Sequence, residues 1–246
     1  MEDNKTDKEE PKTHEEASMY KEQNLPGAFD LFNPSWEAFK KNWVIFVFGI
    51  FVPILAILMF VVILEIAVHF TLTTDSSSWT SKSVTTTANI LSVILGAGAI
   101  FFAIPLSCSL YYYVKLQSAK GVKLRYWPSL KTSLHFFWRM LGLVITRFFI
   151  ILVGFILFIV PGFFMIRRYM MAPYFLVDED IGINEAMKKS VAVSHNFSEA
   201  LWGIIGVNVL FSVLGNIPVL GYVIDIAFSV SYSCATAVRY LQIKTA

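Results

Sequence analysis

Charge is what this sequence has little of. Asp, Glu, Lys and Arg make up 15% of its 246 residues, while 56% are hydrophobic and the mean hydropathy is +0.60. A soluble domain has roughly 25% charged and roughly 45–50% apolar residues. The deficit argues against an ordinary water-soluble globule and points to lipid as the solvent. Net charge is +2, so nothing suggests a nucleic-acid partner. Cysteine is almost absent. Cys108 and Cys234 both sit inside apolar runs, which excludes a disulfide framework and leaves the compartment unread. The histidines His14, His69, His135 and His195 are scattered, so no His-based metal motif forms. No glycine loop of the phosphate-cradling kind occurs. Ser194-His195 are neighbours in sequence, which is not a triad. No catalytic constellation, metal site or cofactor is therefore expected, and an enzyme is the least favoured class.

What is present is a series of long apolar runs. The expected fold is all-α: six membrane-spanning helices with short amphipathic helices at the cytoplasmic interface. The spans fall at about 43–68, 89–114, 141–160, 163–177, 199–214 and 219–238, against a hydrocarbon core that needs ~20 helical residues. The fourth is short, so tilting or bending is expected there. Pro53 and Pro105 are candidate kinks. Residues 1–28 form a charged tail, expected to be disordered because it lacks apolar surface to bury. No signal peptide is expected there. Residues 29–246 form the membrane region.

Three short helices precede pairs of spans. Asn33-Pro34-Ser35 reads as a helix start with a capping Asn and an early Pro. Pro128-Ser129 starts a second helix, with Leu130, Leu134, Phe137 and Trp138 as its apolar stripe. Asn184 starts a third, on which Ile183, Ala186, Met187, Ser190 and Val191 share a face. Glu37-Ala38-Phe39-Lys40-Lys41 echoes Glu185-Ala186-Met187-Lys188-Lys189. A threefold repeat explains this, and so does shared interfacial chemistry. Trp36, Trp43, Trp127 and Trp138 suit interfacial anchors, and the nearby lysines suit an anionic inner leaflet.

Sixteen of the twenty lysines and arginines fall in segments on one side of this layout. Lys82 lies on the other side, and Arg147, Arg167 and Arg168 lie within spans. The asymmetry places both termini in the cytoplasm.

The stretch from Pro161 to Ser190 carries a resemblance. Pro161-Gly162, Arg167-Arg168-Tyr169, Pro173, Val177-Asp178-Glu179, Gly182, Glu185-Ala186, Lys188 and Ser190 resemble a signature of six-span membrane proteins. These are the YciC-type inner-membrane proteins and the membrane domain fused to some glycerophosphoryl diester phosphodiesterases. The resemblance implies a prokaryotic cytoplasmic-membrane protein and carries no assigned activity. No phosphodiesterase catalytic domain is expected in this chain. Asp180 stands where the pattern usually has Gly.

Arg167 and Arg168 are the sharpest chemical signal, because an arginine at mid-span costs roughly 2.5–3.5 kcal/mol on insertion scales. Glu65 and Asp225 are expected at a similar depth. A cluster of Arg167, Arg168, Glu65 and Asp225 would then hold helices together, which is the preferred reading, or bind an anionic lipid or solute. Asp178-Glu179-Asp180 is read as a solvated cytoplasmic turn rather than a cation site. The expected role is non-enzymatic: a membrane scaffold or lipid-interacting protein. The alternative is a small transporter or channel for an anionic solute or lipid. Membrane lipids are the expected partners, with a second copy or another membrane protein left open.

Overall fold

The computed structural model describes residues 25–73, 105–217 and 220–245, together with positions 90, 94, 96 and 98. Among these, every regular element is helical. Residues 1–24 of the expected tail and the polar loop after the first span fall outside the described residues; residues 25–28, expected to be disordered, are instead held by packing of Leu25 and Ala28 and by hydrogen bonds to the Pro26 and Ala28 carbonyls. After a 3-10 turn at Phe29–Leu31 come α1 (Phe32–Thr73), α2 (105–119), α3 (Tyr126–His135), α4 (Phe137–Leu157) and α5 (Ile159–Arg168). They are followed by α6 (Ala172–Glu179), α7 (Ile183–Asn196), α8 (Ser198–Leu214), α9 (Leu220–Ser231) and α10 (Ala235–Thr245).

Prolines decide where these helices begin. A proline lacks the amide that would bond residue i−4, and its ring clashes with that carbonyl, so it belongs in a first turn. Pro34, Pro128 and Pro161 are each the third residue of their helix, and Pro173 is the second of α6. The expected turn at Pro161-Gly162 is therefore misplaced. Pro161 bars helix through the carbonyl of Leu157, so α4 ends there and Phe158 is extended (φ −163°, ψ 151°). By the same rule Pro173 interrupts the expected fourth span near Tyr169, and α5 ends at Arg168. Asn33 does not cap α1 either, because that helix already begins at Phe32.

The long α1 has one non-helical residue, Asn42 (φ −131°, ψ 22°), and not Pro53. The cause is a side chain acting as a surrogate peptide. Asn42 Nδ2 donates to Ser118 Oγ (2.9 Å) and to the Val122 carbonyl (2.8 Å), and its Oδ1 accepts from the Leu124 amide (2.8 Å). These bonds tie the kink to the segment joining α2 and α3. Similar breaks occur at Phe136 (φ −86°, ψ −3°) and Phe197 (φ −111°, ψ 37°). At Phe197 the axes of α7 and α8 diverge by 95°. Each short helix is thus set off by a break from the apolar helix that follows it.

The sequence α4, α5, α6 forms a bent hairpin. The 21 residues of α4 rise about 31 Å, close to the ~30 Å hydrocarbon thickness. Its apex at Ile156–Phe158 is exposed. Its base is closed by Arg139, which donates to the Asp180 carbonyl at 2.8 Å and meets its carboxylate at 2.5 Å. Near the apex the two legs touch through glycine: a Cβ on Gly154 would lie 3.1 Å from the Gly162 Cα.

Two described stretches are long and apolar enough to cross a membrane. They are Phe137–Leu157 and the 25-residue Gly221–Thr245, taken through the turn at Tyr232–Cys234. The bent pair α7–α8 is a third if it counts as one span. The return leg α5–α6 fails as a single long helix because Pro173 breaks it.

Packing is uneven. One buried cluster joins α4, α6, α7 and α10 through Met140, Tyr174, Phe175, Leu176, Val193 and Tyr240. All six residues from Ala172 to Val177 are buried. A second cluster stacks Phe211 on Phe228 at 3.9 Å, with Tyr232 beside them. In contrast, Leu55, Ile63, Phe148, Ile156, Phe158, Val213 and Ile226 are exposed. On α3 the expected apolar stripe does not pack inward as a whole. Ser129 and Ser133 are buried, while Leu134 and Trp138 are 52% and 69% exposed.

Two predictions follow from these contacts. Gly162→Ala places a Cβ 2.6 Å from the Phe155 ring and should cost about 1–3 kcal/mol. Thermal unfolding in detergent measures the loss, and adding Phe155→Ala should recover part of it. Asn42→Leu leaves the Leu124 amide and the Val122 carbonyl without these partners and should cost about 1–3 kcal/mol. Faster hydrogen exchange at residues 118–124 is the accompanying signature.

Candidate functional site

The acidic corner is the most highly connected polar site. Asp180 ends α6 in the left-handed region (φ 55°, ψ 34°). Glycine adopts that conformation most readily, and Asp is among the few other residues that tolerate it. The sharp reversal turns Asp178 back toward the packed end of the molecule. Its side chain is only 4% exposed. Lys120 pairs with it, Lys244 pairs with it at 2.6 Å, and the Tyr240 hydroxyl donates to it at 2.9 Å. Lys189 meets Glu179 at 2.7 Å, and Lys244 also reaches Glu179 at 3.3 Å. Asp180 has Arg139 and, at 3.6 Å, His135.

The expected solvated turn is therefore corrected. The corner gathers cations from the α2–α3 connection, the start of α4, α7 and α10. With lysine and arginine already on every carboxylate, no free oxygen set faces a common ion. No group of three metal-ligating side chains occurs among the described residues. The spacing of Lys120 and Lys244 from Asp178, 58 and 66 residues, leaves no sequence signal for this meeting.

Asp178 lies just beyond the expected fourth span. Burial by itself raises its pKa, but the hydrogen bonds from Lys120, Lys244 and Tyr240 outweigh burial and hold it below the ordinary carboxylate value.

The four residues of the expected arginine–carboxylate cluster are placed as follows. Arg167, on α5, lays its guanidinium over the rings of Phe164 (5.4 Å) and Trp202 (5.5 Å). Its Nε is buried without a hydrogen-bond partner. Cation–π contact of this kind contributes about 0.5–2 kcal/mol. Arg168 is exposed, and its carbonyl accepts a hydrogen bond from Ser190 (2.8 Å). Asp225 is exposed on α9, next to the turn at Gly215. Among the described residues, neither arginine makes an ion pair with Asp225 or any other carboxylate. Glu65 lies on α1, and its side chain is outside the described part. The interfacial candidates Trp36, Trp43, Trp127 and Trp138 are all exposed.

Sequence reasoning missed two sites. Asn42 looks like a polar residue at a span entrance, and nothing local says that it would bond an irregular segment some 80 residues away. Arg239 is fully buried, where a basic residue near the chain end reads as part of a solvated tail. Its guanidinium donates to the carbonyls of Pro26 (2.7 Å) and Gly27 (3.4 Å) and to Gln242 Oε1 (3.2 Å).

The fold and the site define an all-helical protein with apolar helices suited to lipid and a charged clasp at one end. No protein-family model, curated protein or solved structure matches the chain.

Asp178→Asn should lower stability by about 2–3 kcal/mol, less than for a dry pair because Lys120 and Lys244 are 35% and 41% exposed. The depressed pKa also fixes the pH dependence. The stabilisation is present above the ordinary Asp value and is lost as pH falls through the lower, folded-state value. Unfolding followed across that acid range should show a steeper loss in the wild type than in Asp178→Asn.

Proposed function

We propose that this chain is a six-span protein of the cytoplasmic membrane, with both termini inside, and that its role is non-enzymatic: a scaffold that engages lipid. The observation that carries this reading is the split of its surface. Large apolar side chains stand exposed on α1, at the α4–α5 apex and on α8 and α9, while the ion pairs gather at the acidic corner. A soluble monomer rarely exposes contiguous apolar patches beyond a few hundred Å².

The outward stripe of α3 adds a second support. Trp127 and Leu134 recur at i and i+7 on α3 and are 77% and 52% exposed, and Trp138, on the first turn of α4 beyond the break at Phe136, is 69% exposed. An amphipathic helix with aromatic groups outward and lysines nearby suits a bilayer interface. The 95° bend at Phe197 fits a helix lying on the membrane before one that enters it.

Six crossings need the broken return leg, from Ile159 to Val177, to count as one. The Arg139–Asp180 clasp supports that count by bringing its end level with the start of α4. The YciC-like membership belongs to the same proposal, as does a direct lipid contact at Arg167. An arginine held on two aromatic faces in an apolar setting, with one N–H unpartnered, suits a lipid phosphate.

Single cysteines introduced for Ser76, Lys131, Phe158, Lys188 and Asn216 into a cysteine-free chain test the layout. The proposal requires labelling from the periplasm at 76, 158 and 216 and from the cytoplasm at 131 and 188. Reaction of 158 or 216 from the cytoplasm would remove the layout. For the lipid role, native mass spectrometry should find a phospholipid retained by the wild type and lost from Arg167→Ala.

A further inference from the structure

One polar side chain of α8 lies where the proposed membrane layout leaves no water. Asn208 is ten residues past Ser198, about 15 Å along this 17-residue helix. That is near the middle of a ~30 Å hydrocarbon core. The side chain is exposed. One N–H of its amide donates to the Ile204 carbonyl, a turn back, at 2.8 Å. Among the described residues it makes no other hydrogen bond, so its second N–H and its Oδ1 are open. Acyl chains offer neither donor nor acceptor, and an open amide in hydrocarbon is costly.

The surface around Asn208 suits another helix. Ile205, Asn208 and Ser212 recur at i, i+3 and i+7, the spacing of a helix–helix seam. Ile205 is half-buried, and Ser212 and the neighbouring Val209 are exposed. Serine is small enough to let a second backbone approach. Charge is kept away from this face. Asp225 packs beside Gly215 at the end of the helix, about 10 Å along the axis from Asn208, and Glu199 lies in the first turn. Two identical faces can therefore meet at Asn208 without like charges meeting.

We infer that the Ile205–Ser212 face of α8 joins two copies of this chain, with their Asn208 amides hydrogen-bonded to each other. A primary amide is its own complement, because each can donate an N–H to the Oδ1 of the other. A two-fold axis along the membrane normal keeps both Asn208 residues at one depth and makes the contact isologous. The inference rests on the membrane layout proposed above, since in water the amide would simply be solvated.

Counting fluorophores per particle, with the labelled full-length chain in liposomes over a range of protein-to-lipid ratios, tests it. The wild type should be dimeric. Asn208→Leu should weaken the dimer about ten- to thirtyfold, the equivalent of two interhelical hydrogen bonds. Its thermal unfolding as a monomer should be unchanged, because the position is exposed. Asn208→Gln keeps an amide and should keep the dimer. In membranes, Ser212→Cys in a cysteine-free chain should cross-link to itself, whereas Val153→Cys, on the exposed side of α4, should not. A monomeric wild type, a dimer equally tight in Asn208→Leu, or cross-linking at 153 and not at 212 would overturn the inference. Alkaline extraction of the same membranes separates it from the layout beneath it. A chain that stays in the bilayer as a monomer removes the inference alone, whereas a chain released from the bilayer removes both.

Discussion

A carboxylate that has lost nearly all contact with water must be matched by cations and donors, and Asp178 draws its matches from distant parts of the chain. Lys120 comes from the α2–α3 connection, while Tyr240 and Lys244 come from α10. Its neighbours extend the set, with Glu179 holding α7 through Lys189 and Asp180 holding α4 through Arg139. These contacts close the base of the α4–α6 hairpin, dock the last helix and fix the connection between the second and third helices. The left-handed turn at Asp180 makes the arrangement possible, because three consecutive carboxylates would otherwise spread around one helix end. Each faces a different element instead.

Away from this end, among the described residues, the helices meet without ion pairs. In lipid there is little hydrophobic force between helices, and association relies on close packing and polar contacts. The Gly154–Gly162 approach and the Phe211–Phe228 stack are contacts of the packing kind. The three helix breaks at Asn42, Phe136 and Phe197 have related backbone angles and each follows a short helix. Position by position, the Glu37–Lys41 and Glu185–Lys189 segments are followed by Asn42 and Ser190. Both are buried, and both hydrogen-bond to another segment, Asn42 to residues 118–124 and Ser190 to Arg168. In the structure the two segments part after that position, because Asn42 breaks its helix whereas Ser190 lies inside α7, whose break comes at Phe197.

Two arginines show how context divides one chemistry into two roles. Arg167 has aromatic faces and no carboxylate, in a setting that suits lipid. Arg239 has carbonyl oxygens and a cavity beside it. A lysine would serve neither place as well. The planar guanidinium stacks on rings and spreads its donors over several acceptors, whereas an ammonium is a compact, strongly hydrated charge.

The all-helical class, the apolar helix at 141–160 and the amphipathic character of α7 were legible in the chain because they rest on composition and periodicity, which are local. The helix starts at Pro34 and Pro128 were legible as well, whereas Pro161, read as a turn, and Pro173, read as mid-span, start helices too, with the breaks at Phe158 and Tyr169, since a proline acts on the carbonyl four residues before it. What the sequence could not show was which charges would meet. Asp178 with Lys244, Asn42 with Leu124 and Arg239 with Pro26 are separated by 66, 82 and 213 residues. Such pairings follow from where the helices pack, and no periodicity encodes them. By itself the sequence determined the all-helical class, the apolar character of the long helices and the helix starts at Pro34 and Pro128. The tertiary structure alone decided that the acidic corner is a clasp and that a buried arginine borders a cavity, because a charge acquires its partner only when folding removes the water around it.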